Sequence, residues 1–211
     1  RSVEMQYRDK FRSRLNKLKS ENRYRTYAEL ERHVGRHPFA TWKSPNGPQD
    51  VVIWCSNDYL NMSHNPSVIN RMIEVIKDVG TGSGGTRNIS GTTPYHEQLE
   101  KKLADYHERD AALIFTSAYV VNQTTLATLC KRIPNIEVFS DQLNHASLIE
   151  GIKNSKASCS IFKHNNLEHL ESLLASHDIN QPKIIVFESL YSMDFGYNSY
   201  NFFTTSFLAS L

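Results

Sequence analysis

Residues suited to chemistry occur in four short segments of this 211-residue chain. The first, Thr81 to Thr92, holds four glycines and six hydroxyl or amide side chains. Glycines let backbone N–H groups approach a ligand closely, and the polar side chains can hydrogen-bond to it. No Gly-Lys-Ser/Thr follows, so the segment is not a P-loop, and Gly82-x-Gly84 lacks the third glycine of the dinucleotide fingerprint. A ligand-binding loop and a tight structural turn both stay open.

The second segment, Phe115 to Tyr119, lies where an apolar run gives way to a helical pattern. A hydroxyl residue at a helix N-terminus is accompanied by free backbone N–H groups, which together can bind an anion. On spacing alone, a simple helix cap is the interpretation that we favour.

The third and fourth segments, Ser140 to Ser147 and Phe187 to Asp194, each follow a predicted strand. His145 in the third segment can act as an acid or base, stack on a flat cofactor, or be purely structural. The fourth segment adds hydroxyls and a carboxylate. Because ligands bind at the carboxyl ends of strands in parallel sheets, these clusters together suit a planar cofactor that bears a phosphate. The nine histidines form no HExxH or comparable metal spacing, so we expect no metal site.

Alternating strand and helix patterns position these segments. The predicted strands are Val51–Cys55, 112–115, 136–140, 160–163 and 183–188. Helices are predicted after Pro66 and from about Tyr119, Ala146 and Leu167. This order predicts an α/β fold, with a mostly parallel sheet covered by helices on both faces.

A different pattern precedes the alternation. Two helices are predicted at about 3–20 and 26–34, followed by a proline-punctuated loop from Pro38 to Pro48. We therefore expect a helical arm and loop over 1–48, the first part of a larger domain over 49–194, and an atypical aromatic tail over 195–211.

Composition excludes the collagenous, coiled-coil and low-complexity classes of protein. Hydrophobic residues make up 39% and charged residues 22%, which is ordinary for a globular chain. No apolar run approaches the roughly 20 residues of a membrane helix, so we expect no membrane span.

The net charge of +2 conceals an excess of 12 basic over 5 acidic residues in 1–43. A basic arm can attract nucleic acid or an acidic substrate, but a solvated helix face is the interpretation that we favour.

The polar segments, with two more nearer the N-terminus, resemble the α-oxoamine synthases, which are fold type I pyridoxal-phosphate enzymes. The resemblance runs from about residue 5 to Asp194 and rests on five ordered motifs. They are Arg23-Tyr24-Arg25-Thr26, Cys55-Ser56-Asn57-Asp58-Tyr59-Leu60, Gly82 to Thr92, Ser140 to Gly151, and Phe187 to Asp194. The resemblance implies the large domain of that fold in incomplete form.

Within this family, the motifs are most similar to the branch that condenses glycine with succinyl-CoA. That reaction releases CoA and CO2 and yields 5-aminolevulinate for haem synthesis. The resemblance implies pyridoxal 5'-phosphate as the cofactor, no nucleic-acid partner, and a homodimer when the protein has its full length. The cytoplasm and the mitochondrial matrix both fit the family, and we expect the cytoplasm because the sequence shows no classical presequence.

The resemblance also implies roles for individual residues. His145 would be catalytic and would stack on the pyridine ring of the cofactor. Asn57 would approach the glycine carboxylate, whereas Arg25, Thr86 and Asn88 would bind the succinyl carboxylate, which a guanidinium can hold by two hydrogen bonds. The other cofactor contacts would come from Ser117, Ala118, Tyr119, Ser140 and Ser192.

The chain also departs from the family's pattern. By resemblance, the Schiff-base lysine lies beyond the matched residues, and none of Lys153, Lys156, Lys163 or Lys183 has a matching context. We therefore expect no appreciable 5-aminolevulinate formation by this chain alone. The alternatives are a glycine C-acetyltransferase, a serine palmitoyltransferase, or a non-catalytic fragment that binds an intact subunit.

Overall fold

The structure is a computed structural model that describes residues 3–191. Ser192 and the predicted tail over 195–211 lie outside the described residues. The chain divides into two compact units, the first ending at Gly85 and the second beginning at Thr86. Among the described residues, no helix is both long and apolar enough to cross a bilayer.

The first unit opens with helix α1, Val3–Ser20, which confirms the first predicted helix. The second predicted helix, over 26–34, is wrong. The chain leaves α1 through a turn in which the N–H groups of Arg23 and Tyr24 both donate to the Leu18 carbonyl. The residues beyond it form only the short strand β1, Leu30–Glu31. Pairing with the next strand satisfies its backbone, and this tertiary contact outweighs local helical preference.

The predicted loop from Pro38 to Pro48 is instead most of a β-hairpin. Strands β2, Phe39–Ser44, and β3, Gly47–Val52, pair antiparallel around a two-residue turn. The prolines do not block this pairing because Pro38 precedes β2 and Pro48 lies on an outer strand of the sheet. The predicted strand at Val51–Cys55 is therefore the end of β3, in an antiparallel sheet and not the parallel one.

A short 3₁₀ helix, Met62–His64, leads into helix α2, Pro66–Val79, which confirms the helix predicted after Pro66. The Asn65 side chain caps α2 by accepting from the Ser67 N–H at 2.9 Å. Gly80, at a φ of 81°, ends the helix. A positive φ is accessible to glycine without steric cost.

Within the described residues, the second unit contains four α-helices and a parallel three-stranded sheet in the order β5-β4-β6. Its elements are a π-helical turn at Arg87–Gly91, α3 at Pro94–Tyr106, α4 at Ala118–Arg132, β4 at Glu137–Asp141, α5 at Ala146–Ser155, β5 at Ser158–Phe162, α6 at Leu167–Ala175 and β6 at Lys183–Val186. The strand predicted at 112–115 is wrong, because these residues are irregular. The Ile114 N–H donates to the Glu100 carboxylate at 2.8 Å and not to a neighbouring strand.

Strand β4 is the centre of this unit and is buried along its whole length. Val138 packs on one face with Leu126 of α4 and Ile152 of α5. Phe139 packs on the other face with Phe162 of β5 and Leu170 of α6. Alternate residues of β4 thus face helices on opposite sides, which confirms the predicted α/β architecture with helices on both faces.

Candidate functional site

The carboxyl end of the parallel sheet carries a buried polar cluster built on Asp141, the last residue of β4. One Asp141 oxygen accepts from the Leu143 N–H at 2.8 Å and from His164 Nδ1 at 2.9 Å. The other oxygen accepts from the Asn165 N–H at 3.1 Å. One carboxylate therefore joins the loop that follows β4 to the loop that follows β5. The ring of Tyr191 meets the His164 ring edge-on, with centroids 4.5 Å apart.

Asn144 extends this cluster toward β6. Its amide nitrogen donates to the Ser140 hydroxyl at 2.9 Å and to the Val186 carbonyl at 2.8 Å. These two bonds fix the orientation of the amide, since a carbonyl can only accept. The Asn144 Oδ1 atom is buried and has no hydrogen-bond partner among the described residues. An unpaired buried acceptor is costly, so the site is suited to a ligand or group that donates a hydrogen bond there.

His145 is solvent-exposed at this edge and is hydrogen-bonded through both its ring and its backbone. Its Nδ1 accepts from the Ser147 N–H at 3.1 Å and lies 2.8 Å from the Ser147 hydroxyl. That hydroxyl accepts from the Asn122 amide at 3.1 Å. The backbone N–H of His145 donates to a Glu188 oxygen at 2.5 Å. Because Nδ1 is an acceptor, the neutral ring carries its proton on Nε2.

The N-terminus of α4 lies beside His145. The rings of Tyr119 and His145 meet edge-on with centroids 6.2 Å apart. Ser117 is the N-cap of α4, and its hydroxyl accepts from the Val120 N–H at 3.2 Å. Ser117 is therefore a helix cap, as the sequence predicted. Capping does not exclude anion binding, because the first turn of a helix leaves further N–H groups without intrahelical partners.

Thr86 and Asn88 share one turn at the start of the second unit, and both are exposed. The Thr86 carbonyl accepts from the N–H groups of Ser90 and Gly91 at 3.2 and 2.8 Å. Arg87, between them, forms an ion pair with Glu100 of α3. Hydrogen bonds from Arg87 and from the Ile114 N–H lower the pKa of Glu100 to about 2.

Arg25 and Asn57 belong to the first unit, where both are exposed. Asn57 lies in a bend next to Asp58, whose carboxylate accepts from the Met62 and Ser63 N–H groups at 2.8 and 3.2 Å. A hydrogen bond from the Ser63 hydroxyl is the main cause that lowers the Asp58 pKa. Asp58 thus ties the bend at Asn57 to the 3₁₀ helix.

The structure brings Ser140 and His145 to one sheet edge, with Tyr119 against the His145 ring. Ala118 and Ser117 precede Tyr119 at the same helix terminus. The sequence interpretation did not assign roles to Asp141, Asn144, His164, Glu188 and Glu100. The first four each follow or end a strand of the parallel sheet, so the rule that singled out His145 could also have found them. Glu100 lies in mid-helix and carries no such signal.

Residues 49–194 match the family described as Aminotransferase class I and II. The chain belongs to this family. It is 55% identical over 190 residues to a 5-aminolevulinate synthase from Bradyrhizobium diazoefficiens, which is 90% of this chain and 46% of that protein. It is 51% identical over 181 residues to the 5-aminolevulinate synthase of Rhodobacter capsulatus, which is 85% of this chain and 44% of that protein. The chain thus spans about half the length of the curated relatives that it matches.

A solved structure supports the fold. A serine palmitoyltransferase variant from S. paucimobilis, with bound PLP and myriocin, superposes with a TM-score of 0.77 at 25% identity. The match covers 94% of this chain and 48% of that one. This neighbour and the family match confirm the predicted fold type I architecture in incomplete form.

Proposed function

We propose that this chain supplies the cofactor- and substrate-binding residues of a 5-aminolevulinate synthase, which condenses glycine with succinyl-CoA. The observation that carries the proposal is the arrangement around His145. At the carboxyl edge of a parallel sheet, the exposed imidazole of His145 accepts from the Ser147 N–H, and the backbone N–H of His145 donates to Glu188. Identity of 50% or more to several 5-aminolevulinate synthases supports the choice of reaction.

The residues at this edge fit pyridoxal 5'-phosphate as the cofactor. In the proposal, His145 stacks on the pyridine ring, while Ser117, Ala118 and Tyr119 hold the phosphate end. The buried Asn144 Oδ1 offers an acceptor that the described residues leave unpaired. Ser140 contributes by holding Asn144, and Ser192 would add a further contact. When bound, the cofactor supplies an electron sink for negative charge at the amino-acid α-carbon.

The chain's own residues would orient the substrates. Asn57 would donate hydrogen bonds to the glycine carboxylate. Arg25, Thr86 and Asn88 would bind the distal carboxylate of succinyl-CoA, where a guanidinium fork and two polar side chains match its oxygens. A thioester without that carboxylate would leave these groups unpaired, so the proposal predicts discrimination against acetyl-CoA.

We further propose that the 211-residue chain forms no 5-aminolevulinate by itself. The lysines discussed above do not provide the Schiff-base amine in this proposal. The amine of Lys183 donates to the carbonyls of Asp178 and Gln181, at the amino end of β6. Lys153 pairs with Glu150 on an exposed helix face. In the proposal, the full-length protein acts as a homodimer. Its location would be the cytoplasm, which the three free cysteines and the bacterial relatives support.

The cofactor site can be tested by titrating the chain with pyridoxal 5'-phosphate and following absorbance and protein fluorescence. We expect saturable binding that His145→Ala weakens at least about tenfold, since removing the ring deletes a stacking face. His107→Ala, at the exposed end of α3, is the matched control. Equal affinity of the unsubstituted chain and His145→Ala would refute the role of His145.

The reaction can be tested by replacing the matched half of the Bradyrhizobium diazoefficiens enzyme with residues 5–191 of this chain. We expect glycine-dependent release of CoA from succinyl-CoA, and much slower release from acetyl-CoA. Arg25→Met should raise the KM for succinyl-CoA while leaving release from acetyl-CoA unchanged. A chimera that prefers acetyl-CoA would favour a glycine C-acetyltransferase instead.

A further inference from the structure

Arg87 is the only charged residue in the glycine-rich segment from Thr81 to Thr92. A guanidinium in such a segment is an obvious candidate for binding an anionic ligand. In the structure it is already engaged. Its two terminal nitrogens pair with the two carboxylate oxygens of Glu100, Nη2 at 3.0 Å, and Nε lies 3.5 Å from the Thr92 hydroxyl.

The ion pair is partly withdrawn from solvent, with side-chain exposures of 32% for Arg87 and 14% for Glu100. Glu100 also accepts from the Ile114 N–H at 2.8 Å. A single carboxylate therefore connects three parts of the second unit: the turn at Arg87–Gly91, helix α3, and the irregular segment that leads to Ser117. Bidentate pairing fixes orientation as well as distance.

Most of the turn is exposed to solvent. Ile89 is 86% exposed, and Gly91 is the only buried residue of the turn. Its own hydrogen bonds are local, such as the one from the Thr92 hydroxyl to the Arg87 carbonyl at 2.9 Å. A single helical turn is not stable by itself, because nucleation fixes several residues for one bond. The pairing of Arg87 with Glu100 joins the turn to helix α3 by two hydrogen bonds.

We propose that Arg87 is a structural anchor and not a ligand-binding residue, and that Glu100 is a positioning residue that fixes the turn carrying Thr86 and Asn88. The anchoring follows from the contacts alone. The consequence for Thr86 and Asn88, that they are oriented toward the distal carboxylate of succinyl-CoA, rests on the proposed function.

Hydrogen exchange of the intact chain tests the anchor without reference to activity. Glu100→Gln should speed exchange in residues 86–92 and at the Ile114 amide about tenfold or more, because charge-assisted bonds are lost. Asp105→Asn, on the same helix, removes a charge that pairs with the exposed Lys101, and it should leave exchange at 86–92 and at Ile114 unchanged. Arg87→Glu combined with Glu100→Arg should restore protection of 86–92 but not of Ile114, because arginine cannot accept a hydrogen bond.

Circular dichroism shows whether each variant is folded. Should Glu100→Gln fail to fold, Arg87→Lys provides the same test, since lysine keeps the charge but cannot bridge both oxygens. Faster exchange in 86–92 is then expected with Ile114 still protected. Unchanged exchange of 86–92 in the folded Glu100 or Arg87 variants would overturn the proposal.

Succinyl-CoA binding, measured by calorimetry, separates anchor from ligand. If Arg87 binds the ligand directly, Arg87→Lys will weaken binding while 86–92 stays protected, which overturns the proposal. If Arg87 is an anchor, the double variant Arg87→Glu with Glu100→Arg will recover affinity for succinyl-CoA together with the protection of 86–92 from exchange. A chain that does not bind succinyl-CoA at all would count against the proposed function, while the exchange data would still decide whether Glu100 anchors the turn.

Discussion

Replacing Gly151 by alanine should destabilise the second unit and disturb the edge that carries His145. Gly151 lies where α5 crosses α4. A Cβ atom at this position would lie 2.9 Å from the Gln123 carbonyl oxygen, 3.0 Å from Leu126 Cβ and 3.1 Å from the Asn122 carbonyl oxygen. Two of these three atoms belong to the α4 backbone and cannot rotate away, so the helices themselves must separate.

The magnitude follows from two opposing effects. Overpacking a well-filled core costs about 1–3 kcal/mol, and rigid backbone neighbours favour the upper value of about 3 kcal/mol. Alanine gains about 1 kcal/mol over glycine in a helix interior. The net loss in the free energy of unfolding is therefore about 2 kcal/mol. With a urea m-value of about 2 kcal/mol/M, the unfolding midpoint should fall by about 1 M.

Urea unfolding followed by circular dichroism is the assay, with Gly82→Ala as the matched control. A methyl group at Gly82 would have no neighbouring atom within 4 Å, so this substitution should change stability by less than about 0.5 kcal/mol. Because α4 begins after Ser117 and α5 begins after His145, separating the helices should also weaken pyridoxal 5'-phosphate binding. A Gly151→Ala protein as stable as the parent would show that the close approach of the two helices is not tight.

Two further predictions concern buried or paired carboxylates. Asp141→Asn should lower the free energy of unfolding by about 1–3 kcal/mol, because the charged acceptor of three hydrogen bonds is lost; exposed Asp105→Asn, measured in the same urea titration, should have little effect. The Glu100 carboxyl should titrate at a pKa of about 2 when followed by carbon NMR. This folded-state pKa is below the value of ~4.3 for glutamate in an unfolded chain. The ionised Glu100 therefore contributes its full stabilisation above about pH 4.3, and this stabilisation is lost as the pH falls toward 2. An ordinary titration of Glu100 would contradict the pairing with Arg87.

Periodic patterns explain why much of the second unit could be predicted. The sequence predicts strands β4, β5 and β6 and helices α4, α5 and α6 within a few residues, because apolar residues recur along the chain with strand or helix spacing. The position of His145 at a strand end follows from the same reasoning. The five motifs identify the family for a similar reason, since they are local runs of residues.

The failures share a physical cause, which is that distant partners decided the structure. Residues 26–34 have a helical pattern, yet they extend because β2 offers backbone partners. The residues at 112–115 have a strand's composition, yet the Ile114 N–H is taken by Glu100, 14 residues away in the chain. The prolines of 38–48 suggested a loop, although their positions at the start and on an outer strand of the sheet permit a hairpin.

The sequence by itself determined the class of fold, the family and the residue types at the sheet edge, because these depend on local pattern. Tertiary structure decided which partner each polar group takes. In the tertiary structure Arg87 pairs with Glu100, and Nδ1 of His145 is a hydrogen-bond acceptor. Oδ1 of Asn144 has no donor among the described residues. These choices depend on distance and direction between groups far apart in the chain, which spacing along a sequence does not encode.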